Sequence, residues 1–142
     1  MASMVFQMFN QWMAEGKVKL FDAYDGYGPG EQTRDFIYVK DVVKVNLFFW
    51  EHPELKGVYN CGTGHAHQFN HMAKAVLKFF GKGELCYIPF PEVLKGKYQS
   101  FTQADSAKLL AAGYDGGFTD FETAVMEYCQ VLAKTEGYYT NH

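Results

Sequence analysis

An arginine beside a glycine-rich loop is the first feature of this sequence that could bind a ligand. Arg34 follows residues 24–32, a segment with three glycines and a proline that predicts a loop. A guanidinium is planar and can donate two parallel hydrogen bonds to a phosphate group. Arg34 at the mouth of a strand could therefore hold a phosphate, and a surface ion pair with Asp35 is the alternative.

Two further segments could contribute to the same site. Residues 60–64 are Asn-Cys-Gly-Thr-Gly, and glycines after a buried strand let a backbone approach a ligand closely. They lack the G-x-G-x-x-G spacing of a dinucleotide-binding turn, so a tight strand-to-helix turn is the alternative. Residues 89–100 predict a proline-bearing loop that contains Lys97 and Tyr98. Such loops often bind ligands, although a solvated connection would have the same composition.

A group of histidines could instead hold a metal. His65, His67 and His71 lie near Cys61, and such a set could bind zinc. However, His65 and His67 precede a predicted helix whereas His71 lies on it, and no carboxylate follows. We therefore favour solvated loop histidines and predict no metal site. Cys61 falls in a predicted apolar strand that disfavours a thiolate, so no nucleophilic cysteine is predicted either.

Helices and strands that would position these residues alternate along the chain. Spacing and end signals predict helices over residues 1–15, 42–50, 69–80, 105–113 and from 119 onward, and strands over residues 18–21, 35–39, 57–61 and 85–88. Asp41 is the predicted N-cap of the second helix, and a capping box starting at Thr119 opens the last one. This alternation predicts an α/β fold. Apolar residues surround the second helix, so we expect it to be covered on more than one side.

Composition limits the functions that remain. The chain has 142 residues, enough for one domain, and a net charge of -3 with no basic block, which argues against nucleic-acid binding. It contains no apolar run long enough to span a bilayer and no signal-peptide pattern. Three cysteines without metal spacing favour free thiols in a reducing cytoplasm. The aromatic share of 18% suggests surface intended for a ligand, a partner subunit or another domain.

In this order and at this spacing, the motifs resemble nucleotide-sugar epimerases of the extended short-chain dehydrogenase/reductase family. The Arg34–Val43 stretch (R-D-F-I-Y-V-K-D-V-V) is shared across that superfamily. The Ile88–Pro91 and Lys97–Asp105 stretches (I-P-F-P and K-Y-Q-S-F-T-Q-A-D) resemble the ADP-L-glycero-D-manno-heptose 6-epimerase family in particular. The resemblance covers essentially the whole chain.

The resemblance implies a fold and a set of site residues. The fold would be α/β, the C-terminal substrate-binding portion of such an enzyme, with a small mixed sheet, flanking helices and no N-terminal Rossmann half. Residues 1–142 would form one domain with a disordered tail over residues 138–142. Aromatic and backbone groups near Phe21 would hold an adenine, while Arg34 and the Tyr98 hydroxyl would meet a diphosphate. The positions that match the family's substrate site are Gln7, where relatives often carry a histidine, Phe21, Asp22, Ala23, Tyr24, Arg34 and Tyr98.

The resemblance also implies what this sequence lacks. The family binds NADP on a Gly-rich turn of the N-terminal half and uses a Tyr-x-x-x-Lys pair, and neither pattern occurs here. We therefore expect no cofactor binding and no catalytic residue in these 142 residues, and we expect two partners, an N-terminal half and a second copy. The implied role is to bind an ADP-sugar in bacterial lipopolysaccharide precursor synthesis. The alternatives are a stand-alone nucleotide-sugar-binding module, or the corresponding part of a UDP-, GDP- or dTDP-sugar epimerase or dehydratase.

Overall fold

The computed structural model describes residues 3–135, so the tail predicted over residues 138–142 lies outside the described residues. Within this range the chain forms five α-helices, four short strands and one 3₁₀ turn. In chain order these are α1 (Met4–Glu15), β1 (Lys17–Phe21), β2 (Thr33–Arg34), α2 (Val39–Glu51), β3 (His67–Gln68), α3 (Phe69–Phe80), β4 (Glu84–Ile88), the 3₁₀ turn (Glu92–Leu94), α4 (Ala107–Ala111) and α5 (Phe121–Lys134).

The strands form two separate pairs. β1 and β4 are parallel, with Val18 opposite Leu85 and Phe21 opposite Ile88. β2 and β3 are antiparallel, with Arg34 opposite His67. The predicted α/β fold with small sheets and flanking helices is confirmed, and its parallel and antiparallel pairings lie in two sheets instead of one.

The main core lies where α1, α3 and α5 pack around β1. Its members are apolar side chains that recur every three or four residues on the helices and alternate on the strand, so each element turns one face inward. The most buried are Met8, Val18, Ala73, Val76, Cys129 and Leu132. The bounds predicted for α3 and its end at Gly81, where φ is +70°, are confirmed. The strands predicted over residues 18–21 and 85–88 are confirmed as β1 and β4.

Two predicted strands are wrong. Residues 57–61 form no strand, Val58 is 85% exposed and Cys61 is exposed. Residues 35–38 also lie outside any strand, and the strand next to them contains only Thr33–Arg34. The apolar pattern of both segments is typical of buried strands, but a strand also needs a neighbour with which to share hydrogen bonds. Within residues 3–135, residues 57–61 have no such neighbour, and of residues 35–38 only Asp35 shares a backbone hydrogen bond with a neighbouring segment, from its amide to the Thr102 carbonyl.

Two predicted helix starts are also displaced, and one contact explains both. Asp41 does not cap α2, which begins at Val39, but lies in the first turn with 0% of its surface exposed. Its carboxylate accepts hydrogen bonds from the Thr119 amide at 2.8 Å and the Thr119 hydroxyl at 2.9 Å. Because the Thr119 hydroxyl donates to Asp41, Thr119 does not cap α5. Asp120 caps this helix instead, and its carboxylate accepts from the Thr123 amide at 3.1 Å. Because Asp41 and Thr119 are far apart in sequence, local patterns could not reveal this pairing.

One face of α2 carries large apolar side chains that remain exposed. We call Val39, Val43, Leu47 and Trp50 the α2 stripe, because they follow one another at intervals of three or four residues. Trp50 is 84% exposed. Of the helix side chains, only Asp41 and Val45 are buried. The sequence predicts a helix covered on more than one side, and within the described part of the chain this stripe is uncovered.

Candidate functional site

Four aromatic rings gather at the carboxyl ends of β1 and β4. We call Phe21, Tyr24, Phe90 and Tyr98 the Tyr98 cluster. Tyr24 stacks on Phe90 with 4.0 Å between ring centroids, and Phe21 meets the edge of Phe90 at 5.2 Å. Tyr98 lies 5.3 Å from Phe90 and 6.2 Å from Phe21. Because β1 and β4 are parallel neighbours, their carboxyl ends lie side by side, and the segments that follow the two strands meet in this cluster.

Arg34 lies against this cluster. Its guanidinium carbon is 5.0 Å from the centre of the Tyr98 ring and 5.8 Å from that of Phe69, so the charge rests between two aromatic faces. Its Nη1 donates to the Thr33 carbonyl at 2.8 Å. Within residues 3–135, no carboxylate forms an ion pair with Arg34. The site therefore presents a guanidinium whose charge is not neutralised by a neighbouring acid.

A short backbone ladder explains why Arg34 and Tyr98 meet although more than sixty positions separate them. The Thr33 amide donates to the Ser100 carbonyl at 2.9 Å, and the Asp35 amide donates to the Thr102 carbonyl at 2.9 Å. Residues 100–102 therefore run beside β2. This pairing carries Tyr98 to the position where Arg34 emerges from β2.

The Tyr98 hydroxyl is suited to donate a hydrogen bond. Burial raises the pKa of Tyr98 above its usual value, and the nearby Arg34 charge offsets only part of that effect. The phenol therefore stays protonated at neutral pH. A neutral donor and a cation side by side match the charge and geometry of a phosphate group.

The remaining predicted site residues differ in how they are placed. Tyr24 opens a hairpin closed by two hydrogen bonds with Tyr27, each 3.1 Å long, and its loop residues Asp25 and Gly26 have φ of 58° and 78°, as a two-residue type I′ turn requires. The Tyr24 hydroxyl accepts from the Gly96 amide at 2.5 Å, which ties this hairpin to the segment that carries Tyr98.

Asp22 and Ala23 are exposed beside the cluster, where the Asp22 carboxylate accepts from the Ala23 amide at 2.7 Å. Gln7 lies on an exposed position of α1. Within residues 3–135, no hydrogen bond or ring contact joins the Gln7 side chain to the cluster. The structure thus brings Phe21, Tyr24, Arg34 and Tyr98 together, with Asp22 and Ala23 at the edge.

The glycine turn at residues 62–64 does not fit a dinucleotide. The amides of Thr63 and Gly64 donate to the Asp35 carboxylate at 2.9 and 2.8 Å. They are therefore not available to a pyrophosphate, and α3 begins only at Phe69. A dinucleotide-binding turn needs free amides at the start of a helix, so this turn has a structural role instead.

The three predicted histidines form a partly connected group. His67 and His71 have their Nδ1 atoms 3.2 Å apart, and His71 Nε2 lies 3.5 Å from a carboxylate oxygen of Glu122. Burial, with a smaller contribution from His71, lowers the pKa of His67. His67 also stacks on Phe121 with 4.2 Å between centroids. In the described range, no group of three or more histidine, cysteine or acidic side chains is placed to hold a metal ion.

A large cavity that sequence reasoning missed is lined by none of the Tyr98 cluster residues. It measures about 710 Å³ and its walls are mostly apolar; they include Phe36, Ile37, Tyr38, His67, Phe121 and Tyr128. The signal that could have found it is the apolar run Phe36–Val39, which predicts a buried strand but contributes instead to the wall of an open cavity. None of the helices in residues 3–135 is long and apolar enough to cross a membrane.

Comparison with known proteins places this geometry in context. The sequence pattern of the NAD dependent epimerase/dehydratase family matches residues 1–62. Over 133 residues the chain is 53% identical to an ADP-L-glycero-D-manno-heptose-6-epimerase from Alkalilimnicola ehrlichii. The matched region covers 94% of this chain and 42% of that protein.

Solved structures agree with this likeness. The fold resembles that of ADP-L-glycero-D-manno-heptose-6-epimerase from Helicobacter pylori, with a TM-score of 0.72, 30% identity and coverage of 93% of this chain and 38% of the other. It also resembles UDP-glucose 4-epimerase from Thermotoga maritima, with a TM-score of 0.71, 29% identity and coverage of 93% and 40%. The chain spans about two fifths of the length of these relatives.

Proposed function

Because this chain is related to the NAD dependent epimerase/dehydratase family and resembles its ADP-heptose epimerases, we propose that it binds an ADP-sugar as the substrate-binding part of a nucleotide-sugar 6-epimerase. The observation that carries the proposal is the placement of Arg34, a cation with no acidic partner among residues 3–135, 5.0 Å from the Tyr98 ring. The sugar that this proposal names is ADP-glycero-manno-heptose, a precursor of lipopolysaccharide.

The geometry supports binding of a diphosphate. The Arg34 fork can donate two hydrogen bonds to phosphate oxygens, and the Tyr98 hydroxyl can donate a third from the same side. The rings of Phe21 and Tyr24 belong to the same cluster as Tyr98 and offer a surface on which a base can stack. Asp22 and Ala23 are proposed to contact the base through their backbones, and Gln7 is proposed to reach the sugar.

The chemical step is proposed for the whole enzyme and not for these residues. The family whose sequence pattern matches residues 1–62 is described as NAD dependent. The turn at residues 62–64, however, has its Thr63 and Gly64 amides bound to Asp35 and does not fit a dinucleotide. We therefore assign no catalytic residue and no cofactor contact to this chain. Its part in the reaction is to hold and orient the substrate.

A partner that supplies the remaining parts is proposed to cover the α2 stripe. The relatives are more than twice as long as the region matched here, and an N-terminal half of the kind they contain would bury Val43, Leu47 and Trp50. The cavity bordered by Phe36 and Tyr38 opens to solvent and would be closed by the same partner. A second copy of the chain is the alternative occupant, and both would act in the cytoplasm.

Calorimetric titration tests the proposed ligand. We expect ADP to bind the 142-residue chain about tenfold more tightly than AMP, because the second phosphate adds charge-assisted hydrogen bonds. Adenosine should bind more weakly still, and ADP-sugars at least as tightly as ADP. Equal affinities for ADP and adenosine would overturn the diphosphate assignment. Tighter binding of UDP than of ADP would favour the UDP-sugar alternative.

A triple substitution tests the proposed partner surface. Replacing Val43 with Thr, Leu47 with Gln and Trp50 with Gln should change the free energy of unfolding of the chain by less than about 1 kcal/mol, because these side chains are already exposed. The same change should abolish binding to the separately produced N-terminal part of the Alkalilimnicola ehrlichii epimerase, measured by sedimentation velocity.

A matched control uses exposed apolar residues elsewhere. Val93→Thr with Leu110→Gln also removes exposed apolar surface, and this pair should leave the binding intact. Loss of binding in both variants, or in neither, would contradict the assignment to the α2 stripe. Self-association that disappears only in the triple variant would identify a second copy as the occupant.

A further inference from the structure

One carboxylate joins the three segments that the sequence singles out. Asp35 Oδ1 accepts from the Thr63 amide at 2.9 Å and the Thr63 hydroxyl at 2.6 Å. Its Oδ2 accepts from the Gly64 amide at 2.8 Å and the Ala104 amide at 3.0 Å. The residue after Arg34 thus binds both the glycine turn and the loop that follows Tyr98.

Other contacts show that this junction is closely packed. Gln103 Nε2 donates to the Gly64 carbonyl at 2.6 Å, and the buried Ser106 hydroxyl donates to the Gly62 carbonyl at 2.7 Å. A side chain at Gly62 would collide with Ala104 and would come within 2.9 Å of Asp35 Oδ2. The turn and the loop are therefore held in one arrangement around a single acidic side chain.

We propose that Asp35 is the positioning residue of the nucleotide-sugar site, which holds the loop that carries Tyr98 in register with Arg34. This inference rests on the proposed function for its ligand and adds a residue to the site. The mechanical connection is short. Arg34 precedes Asp35 directly, the Asp35 amide binds Thr102 at 2.9 Å, and its carboxylate binds Ala104. Tyr98 lies four residues before Thr102 on the same loop.

The chemistry requires a carboxylate at this position. All four of its partners in the site donate hydrogen bonds, and an ionised carboxylate is the side chain that only accepts. An asparagine has nearly the same shape but only one side-chain oxygen. Its NH₂ group, which is a donor, would take the place of the other oxygen and face N–H donors there. At least one backbone amide of Thr63, Gly64 or Ala104 would then lose its acceptor, whichever way the asparagine is turned.

The ionisation of Asp35 agrees with this role. Burial by itself would raise the pKa of the carboxyl, but the hydrogen bonds from Thr63, Ala104 and Gly64 outweigh burial and leave the pKa below its usual value. Asp35 is therefore charged at neutral pH, and no cation in the described range forms an ion pair with it. The charge is balanced by oriented N–H groups.

The test compares Asp35→Asn with Asp120→Asn. Asp120 accepts from the Thr123 amide and hydroxyl just as Asp35 accepts from those of Thr63, but it lies at the start of α5, away from the Tyr98 cluster. Calorimetric titration should show ADP binding about tenfold weaker in Asp35→Asn, because a displaced binding group loses much of its contribution. Asp120→Asn should leave ADP affinity unchanged, because asparagine caps helices as well as aspartate does.

A second measurement needs no ligand. The Tyr98 ring, 5.0 Å from the Arg34 guanidinium carbon, should shift the NMR signal of the Arg34 side chain. Comparison with Tyr98→Leu would define the size of that ring-current shift. Asp35→Asn should lose most of it, whereas Asp120→Asn should retain it. Retention of the shift in a folded Asp35→Asn chain would overturn the inference, whether or not ADP binds. If the wild-type chain binds no ADP while the shift behaves as expected, the ligand proposal fails and the positioning role stands.

Discussion

Replacing Arg34 with alanine should weaken ADP binding by about 100-fold, which corresponds to ~2.7 kcal/mol. The loss is large because the guanidinium has no acidic partner in the described range and is free to form two charge-assisted hydrogen bonds with phosphate oxygens. Arg34→Lys keeps the charge but not the planar fork, so we expect a loss of about tenfold for that variant. Calorimetric titration of ADP measures both.

Adenosine serves as the control ligand for this prediction. It carries no phosphate, so its weak affinity should be the same for the wild-type chain and for Arg34→Ala. Circular dichroism should show an unchanged fold, since Arg34 contacts Tyr98 and Phe69 only at the edge of the core. If adenosine lost affinity as strongly as ADP, Arg34 would act by ordering the aromatic rings and not by binding phosphate.

Replacing Asp41 with alanine should lower the free energy of unfolding by about 3 kcal/mol, the cost of removing one member of a buried hydrogen-bonded group. Asp41 is fully buried, and its carboxylate accepts from the Thr119 amide, the Thr119 hydroxyl and Lys44 Nζ. Alanine would leave the Thr119 amide without an acceptor and detach the start of α2 from the start of α5. Urea unfolding at pH 7 measures the change.

The partner Lys44 provides the matched control. Its side chain is half exposed, and Lys44→Ala should cost less than about 1 kcal/mol because surface ion pairs contribute little. If Asp41→Ala lowered the free energy of unfolding by less than about 1 kcal/mol, the Thr119 amide would have found another acceptor.

The acid limb of the stability curve gives a second check on Asp41. Burial raises the pKa of the Asp41 carboxyl, but hydrogen bonds from Lys44 and Thr119 outweigh it and lower the pKa overall. A carboxyl with a depressed pKa in the folded state stabilises the fold above its unfolded pKa, and this contribution is lost as the pH falls through the folded value. Below about pH 4, stability should therefore fall more steeply in the wild-type chain than in Asp41→Ala.

The sequence predicts the elements whose signals lie within the element and at its ends. α3 was predicted from Phe69 to Phe80 because its apolar face repeats with the helical period and Gly81 adopts the left-handed conformation that ends helices. β1 and β4 were predicted for the same kind of reason, since short apolar strands follow glycine stops. The phosphate-binding candidate is also evident from sequence, because Arg34 is the arginine of this chain and follows a glycine-rich loop.

Only the tertiary structure decided what those residues do to one another. The segment at residues 57–61 has the composition of a strand, yet it has no neighbour to pair with in the described chain and stays in solvent. Asp41 and Thr119 each have the sequence pattern of a helix cap, yet they bind each other across 78 positions. The ladder between residues 33–35 and 100–102 brings Tyr98 to Arg34, and Asp35 closes that junction. Hydrogen-bond partners and burial depend on the whole chain, because each polar group must be satisfied by whichever segment the fold places beside it.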